Sequence, residues 1–141
     1  MPRKSLSSSQ PPRPTDAELA ILRVLWSQGR SSVREVFDTL NAGRAEPLAY
    51  TTVLRFLQIM REKGLVKREE EERGHLFAPA VPAERTKRQM VGDLVDRLFG
   101  GSVHELVLQA LGTRKVSAKE LREIRKVLKE AGEPSTDKTL E

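Results

Sequence analysis

One junction constrains the fold of this 141-residue chain more than any other feature. A helical segment over residues 50–63 stops on Gly64, and strand-like residues begin immediately behind it. Val53, Phe56, Leu57 and Met60 recur at helical spacing, so one face of the segment must pack against other elements. Leu65-Val66-Lys67-Arg68 and His75-Leu76-Phe77-Ala78 then flank a polar run over residues 69–74, and Pro79 and Pro82 end the second stretch. Two short β-prone runs around a polar turn ending in Gly predict a hairpin. A helix feeding directly into a two-stranded hairpin needs partners for the apolar sides of both.

Those partners lie upstream. Thr15-Asp16-Ala17-Glu18 and Ser32-Val33-Arg34-Glu35 have the form of capping boxes, in which hydroxyl and carboxylate satisfy orphan backbone donors. Behind the first, Leu19, Leu22, Val24, Leu25 and Trp26 give an apolar helical face that stops at Gly29. Behind the second, Val33, Val36, Phe37 and Leu40 do the same, ending at Asn41-Ala42-Gly43. Glu46-Pro47 predicts a break before the third helix. Three helices followed by a hairpin predict a winged helix-turn-helix domain over residues 15–81.

From Ala83 onward the pattern is helical only. Met90 and Val91 lead into Leu94, Val95, Leu98 and Phe99, and Gly100-Gly101 breaks the run. Val103, Leu106, Val107, Ala110 and Leu111 follow Ser102, and a third capping box, Ser117-Ala118-Lys119-Glu120, precedes Leu121, Ile124, Val127 and Leu128. So short a segment cannot bury three apolar stripes within itself, so two copies are expected to pack together. The expected dimerisation domain spans 82–131, with Val91, Leu94, Val95, Leu98, Phe99, Val103, Leu106, Val107, Leu111, Leu121, Ile124 and Leu128 at its interface. The fold class is therefore mainly α with a small β-hairpin. A disordered basic arm (1–14) and a flexible tail (132–141) flank the two domains.

The chemistry available is narrow. There is no cysteine, and His75 and His104 lie in different elements without the spacing of a metal site. No nucleophile–base constellation or phosphate loop is present, so no enzyme activity, cofactor or metal is expected. No apolar run is long enough to cross a bilayer, and the N-terminal stretch lacks the apolar centre of a secretory signal; a cytoplasmic location is the default. The formal charge of +5 favours a polyanionic partner, and its even spread along the chain gives no location for it.

The outer face of the third helix is more specific. DNA's major groove accepts one α-helix, and a helix-turn-helix presents its second helix there. Thr51 and Thr52 stand at the helix start, where backbone donors also point outward; Arg55 follows one turn later with the reach to read guanine. Gln58 could reach a base or a phosphate, while Arg61, Lys63, Lys67, Arg68 and Arg73 suit backbone phosphates. The same face could instead be an ordinary solvated surface, making the chain a winged-helix protein-interaction module without sequence-specific DNA reading.

The order of several short motifs resembles the penicillinase-repressor family over residues 15–131. These are Thr15-Asp16-Ala17-Glu18 with Val24-Leu25-Trp26, then Tyr50-Thr51-Thr52-Val53 with Glu62-Lys63-Gly64-Leu65-Val66. Phe77-Ala78-Pro79, Leu98-Phe99-Gly100-Gly101-Ser102 and Leu106-Val107-Leu108 complete the series. The resemblance implies a homodimeric repressor that binds a pseudo-palindromic double-stranded DNA operator and is released by an inducing signal. In the β-lactam branch that signal passes through a membrane sensor metalloprotease, which cuts an Asn-Phe bond; Gln109-Ala110 is the corresponding candidate cleavage segment here. The thiolate chemistry of the copper branch has no cysteine to use. Leu54 and Ile59 replace basic residues common in relatives, and the acidic run Glu69-Glu70-Glu71-Glu72 replaces a basic hairpin tip. That run would repel phosphate at short range and shift contacts to Lys67, Arg73 and the arm residues Arg3, Lys4 and Arg13.

Overall fold

The computed structural model describes residues 13–72 and 74–133. The expected arm and tail fall almost entirely outside these residues, as does Arg73. In chain order the elements are α1 (Asp16–Gln28), α2 (Val33–Asn41), α3 (Tyr50–Glu62), β1 (Val66–Glu71), β2 (Gly74–Pro79), α4 (Ala83–Leu98), α5 (Val103–Gly112) and α6 (Ala118–Gly132). This is a winged helix-turn-helix followed by a helical segment.

Local chemistry fixes the helix ends. At α1 the Thr15 N–H donates to Glu18 Oε1 (3.0 Å) while the Glu18 N–H donates to Thr15 Oγ1 (3.2 Å). Ser32 and Glu35 repeat this reciprocal pair at α2, at 2.8 and 3.0 Å. Ser102 and Ser117 accept from the third residue of α5 and α6. The end of α3 is a Schellman motif. Leu65 N–H reaches back to Met60 O (2.9 Å) and Gly64 N–H to Arg61 O (3.1 Å), with Gly64 at φ +83°. Only Gly takes that backbone conformation readily. Met60 and Leu65, joined across the motif, are both buried, so the turn into β1 starts inside the core.

The core of this region is closed. Ile21, Leu22 and Leu25 of α1, Val36 of α2, Val53, Leu57 and Met60 of α3, and Leu65, Val66 and Phe77 of the hairpin region pack as one cluster. The inward row of α1 differs from the expected one. Glu18, Ile21, Leu22 and Leu25 are buried, whereas Leu19 and Val24 are only half-buried. A spacing of three, four and seven residues from position 18 puts a carboxylate on the core-facing side.

β1 and β2 pair antiparallel from Val66↔Pro79 to Glu71↔Gly74. Glu69, Glu70 and Glu71 therefore belong to β1 and Gly74 opens β2, so four of the residues predicted as a polar turn over 69–74 are strand. Ser31 adds a one-residue bridge on the other side of β2: its N–H donates to Phe77 O (3.0 Å) and Phe77 N–H donates to Ser31 O (2.8 Å). This covers the free edge of β2 beside the core.

By internal contacts the chain falls into two compact units, Met1–Gly92 and Asp93–Glu141. Composition places the boundary at 81/82, but the start of α4 belongs with the first unit. The Trp26 indole N–H donates to Val81 O (2.9 Å), and Val81 and Thr86 are buried. In the second unit α5 and α6 bury no residue, while Val95 near the end of α4 is buried and accepts from Gly101 N–H (2.8 Å).

Candidate nucleic-acid interface

The turn between α2 and α3 sets where the third helix points. Asn41 holds it with two bonds to one residue: Nδ2 donates to Leu48 O (3.0 Å) and Leu48 N–H donates to Oδ1 (2.9 Å). This side chain stands in for a backbone partner across a loop that contains Pro47. The Phe37 and Tyr50 rings meet edge-on at 5.6 Å, and the Arg34 guanidinium lies 5.3 Å from the Phe37 ring centre. In the sequence Asn41 reads only as a helix stop, because nothing in its local spacing identifies Leu48 as its partner.

The N-terminus of α3 is open. Its cap is Ala49, which has no side-chain acceptor, in contrast to the hydroxyl caps of α1, α2, α5 and α6. The first-turn N–H groups thus carry the positive end of the helix dipole towards solvent. Thr51, Arg55 and Gln58 are exposed and follow one another at i, i+4 and i+7 on one stripe; Thr52 beside them is half-buried. Arg61 is exposed in the last turn. Lys67 and Arg68 are exposed at the start of β1, where alternation sends them to opposite faces of the hairpin.

Lys63 is placed differently. Its ammonium donates to both carboxylate oxygens of Glu18 at 2.9 Å, bridging the end of α3 to the start of α1. Burial acts to raise the Glu18 pKa. The Lys63 hydrogen bond, the Thr15 backbone N–H and the Lys63 charge outweigh it and hold this carboxyl below its usual value. The pair spans 45 positions, and each residue alone reads as a cap or a surface cation, so the sequence carries no signal of it.

The acidic wing is also partnered. Arg30, in the α1–α2 turn, reaches Glu69 Oε1 at 2.9 Å and Glu71 Oε2 at 2.7 Å. Glu69 and Glu71 lie two apart in β1 and so share a face. The Glu69 hydrogen bond and then the charges of Glu71 and Glu69 raise the Arg30 pKa further above its ordinary value. Glu70 faces the other way, with His75 Nδ1 at 3.9 Å.

The sequence profile of the penicillinase repressor family matches residues 14–130. The chain belongs to the penicillinase repressor family. Its members are transcriptional repressors rather than enzymes. The chain is 23% identical to the penicillinase repressor of Bacillus licheniformis over 119 residues, covering 84% of this chain and 91% of that one. It is 42% identical over 65 residues to the transcriptional regulator BlaI of Mycobacterium tuberculosis, covering 45% of this chain and 46% of that one. Among solved structures, it is similar to the Bacillus licheniformis BlaI monomer in complex with the blaP half-operator, with TM-score 0.46 and 23% identity over 53% of this chain and 89% of that one.

In this member of the family the residues expected at a dimer interface fall into three groups. Val91, Leu94, Leu98, Val103, Leu111 and Leu128 are exposed; Phe99, Leu106, Val107, Leu121 and Ile124 are half-buried; Val95 is covered within its own chain. Leu108 and Val127 are further exposed apolar residues of α5 and α6. Gln109 and Ala110 are exposed within α5. Among the described residues, no helix is long and apolar enough to cross a membrane.

Proposed function

We propose that this chain is a homodimeric transcriptional repressor whose α3 helices read the two halves of a pseudo-palindromic operator in double-stranded DNA. The observation that carries this reading is the outer stripe of α3, with an uncapped N-terminus above Thr51, Arg55 and Gln58. Backbone donors and Thr51 would engage a phosphate, Arg55 a base edge in the major groove, and Gln58 a base or phosphate further along. Arg61, Lys67 and Arg68 would add phosphate contacts, while Lys63 would position α3 through Glu18. A gel shift with DNA from the chain's own promoter region tests this. A competable shift is expected, with affinity falling steeply with salt. Arg55→Ala should cost about 1–3 kcal/mol of specific binding with the fold intact. Unchanged affinity and base preference would remove α3 from the reading role, and no competable shift at low salt would favour a protein-interaction module.

The second copy is supported by the exposed apolar side chains of Leu98, Val103, Val127 and Leu128. A surface of this kind is expected to be covered. An inducing signal would end operator occupancy. If a membrane sensor metalloprotease supplies it, the exposed Gln109-Ala110 bond is the candidate target, and α5 must unwind locally for a protease to accept it.

A further inference from the structure

A groove of about 580 Å³ lies on the first unit, and none of its described lining residues belongs to α3. Leu19 and Trp26 of α1 and Met90 and Val91 of α4 supply its large apolar side chains. Its volume is in the range of small-molecule sites, and its wall is largely apolar, as such sites are. We propose that this groove binds a small amphipathic carboxylate.

Two observations fix the ligand class. Among the described residues, the charged ones lining the groove are Arg23 and Lys87, and no carboxylate lines it. Lys87 also meets Glu84 at 3.3 Å, but both side chains are well exposed, and a pair of that kind holds its ammonium only loosely. The second observation is Thr86, which lines the groove and is only 4% exposed. Its hydroxyl has no hydrogen-bond partner among the described residues. A buried hydroxyl without a partner is costly, and a ligand oxygen in the groove would satisfy it. The chemistry recognised is therefore an apolar tail against Leu19, Trp26 and Met90, with an anionic head between Arg23, Lys87 and the Thr86 hydroxyl. None of these residues belongs to the α3 stripe, so the site stands or falls independently of operator reading.

The chain has a single tryptophan, and it forms part of the wall, so its emission reports on this site directly. The full chain is titrated with octanoate, octan-1-ol and octylamine while Trp26 fluorescence is followed, and the series is repeated across protein concentrations. Octanoate should give a saturable change with a dissociation constant on the order of 0.1–1 mM, the range open to so small a ligand. Octanol should bind roughly five- to tenfold more weakly, and octylammonium should not saturate. Arg23→Gln with Lys87→Gln should bring octanoate to the octanol level and leave octanol unchanged. Thr86→Val should weaken octanoate about threefold to tenfold, the loss of one hydrogen bond. No saturable response to octanoate would overturn the proposal, as would equal binding of octylammonium. Emission that shifts with protein concentration and then ignores octanoate would also overturn it, because the groove would then be covered by a second copy.

Discussion

The two units use the same sequence grammar to different ends. Both have helices opened by hydroxyl caps and striped with apolar residues. In the first, the stripes of α1, α2 and α3 converge, and the hairpin closes the remaining side: Ile21, Leu22, Val36, Val53, Leu57 and Met60 lose all contact with solvent. In the second, α5 and α6 bury nothing, and Leu98 and Val103 remain 67% and 63% exposed. An amphipathic pattern therefore shows that a face will be covered, not what covers it. The hairpin makes the difference: Leu65, Val66 and Phe77 complete a core that three short helices leave open.

The strongest way to break this contrast is one substitution on each side. Leu57→Ala removes a fully buried side chain and should cost about 2–5 kcal/mol, enough to unfold most of the first unit in a thermal melt. Leu98→Asp should leave that unit's melting temperature unchanged, shift sedimentation from dimer to monomer, and greatly weaken operator binding. A large loss of first-unit stability in Leu98→Asp would show that the second region supports the first. Wild-type protein that sediments as a monomer at micromolar concentration would remove the dimer.

The Glu18–Lys63 pair is a smaller test of how the first unit closes. Glu18→Gln keeps the capping-box geometry and removes the charge beneath Lys63. The cost should be about 1–2 kcal/mol at neutral pH, less than for a fully buried pair, because the Lys63 side chain is 30% exposed. The pH dependence follows from the lowered pKa of Glu18. A carboxyl whose folded pKa lies below its unfolded value stabilises fully above the unfolded value, near 4.3, and loses that contribution as pH falls through the folded one. Wild type and variant should thus differ most at neutral pH and converge in acid. A constant difference down to pH 2 would mean that the charge does no stabilising work. Operator binding adds a separate readout: Lys63→Met should leave the salt slope unchanged, whereas loss of a true phosphate contact lowers it by about one.

These two tests also mark where the sequence stops being readable. The capping boxes at Thr15 and Ser32, the stop at Gly64 and the hairpin are local patterns, satisfied by residues within a few positions, and all were legible. The Ser31–Phe77 bridge, the Asn41–Leu48 clasp and the Glu18–Lys63 pair were not, because each joins groups whose proximity exists only after the helices pack. For the site, periodicity placed Thr51, Arg55 and Gln58 on one outer stripe, but could not tell that Lys63 turns inward. The strand character of the acidic wing is hidden for a related reason. Four consecutive glutamates read as a turn, since strands disfavour them, and only the cross-strand register shows two of them meeting Arg30.

Arg30 carries the smallest of the expected effects and the sharpest distinction between stability and function. Its side chain is half-exposed, and ion pairs in such positions contribute little to folding, so Arg30→Gln should melt with wild type. The closed core beneath it does not depend on surface charge. The field above the wing does change, because Glu69 and Glu71 lose their shared cation. If the wing lies near operator phosphates, Arg30→Gln should weaken binding about threefold at low salt, and the difference should vanish as screening shortens to a few ångströms near 1 M salt. Equal affinity at low salt would place the wing away from DNA and leave operator contact to α3 and the start of β1. A drop of several degrees in the melt would mean that the Arg30 clamp holds the hairpin in place, and that the first unit closes partly through its surface.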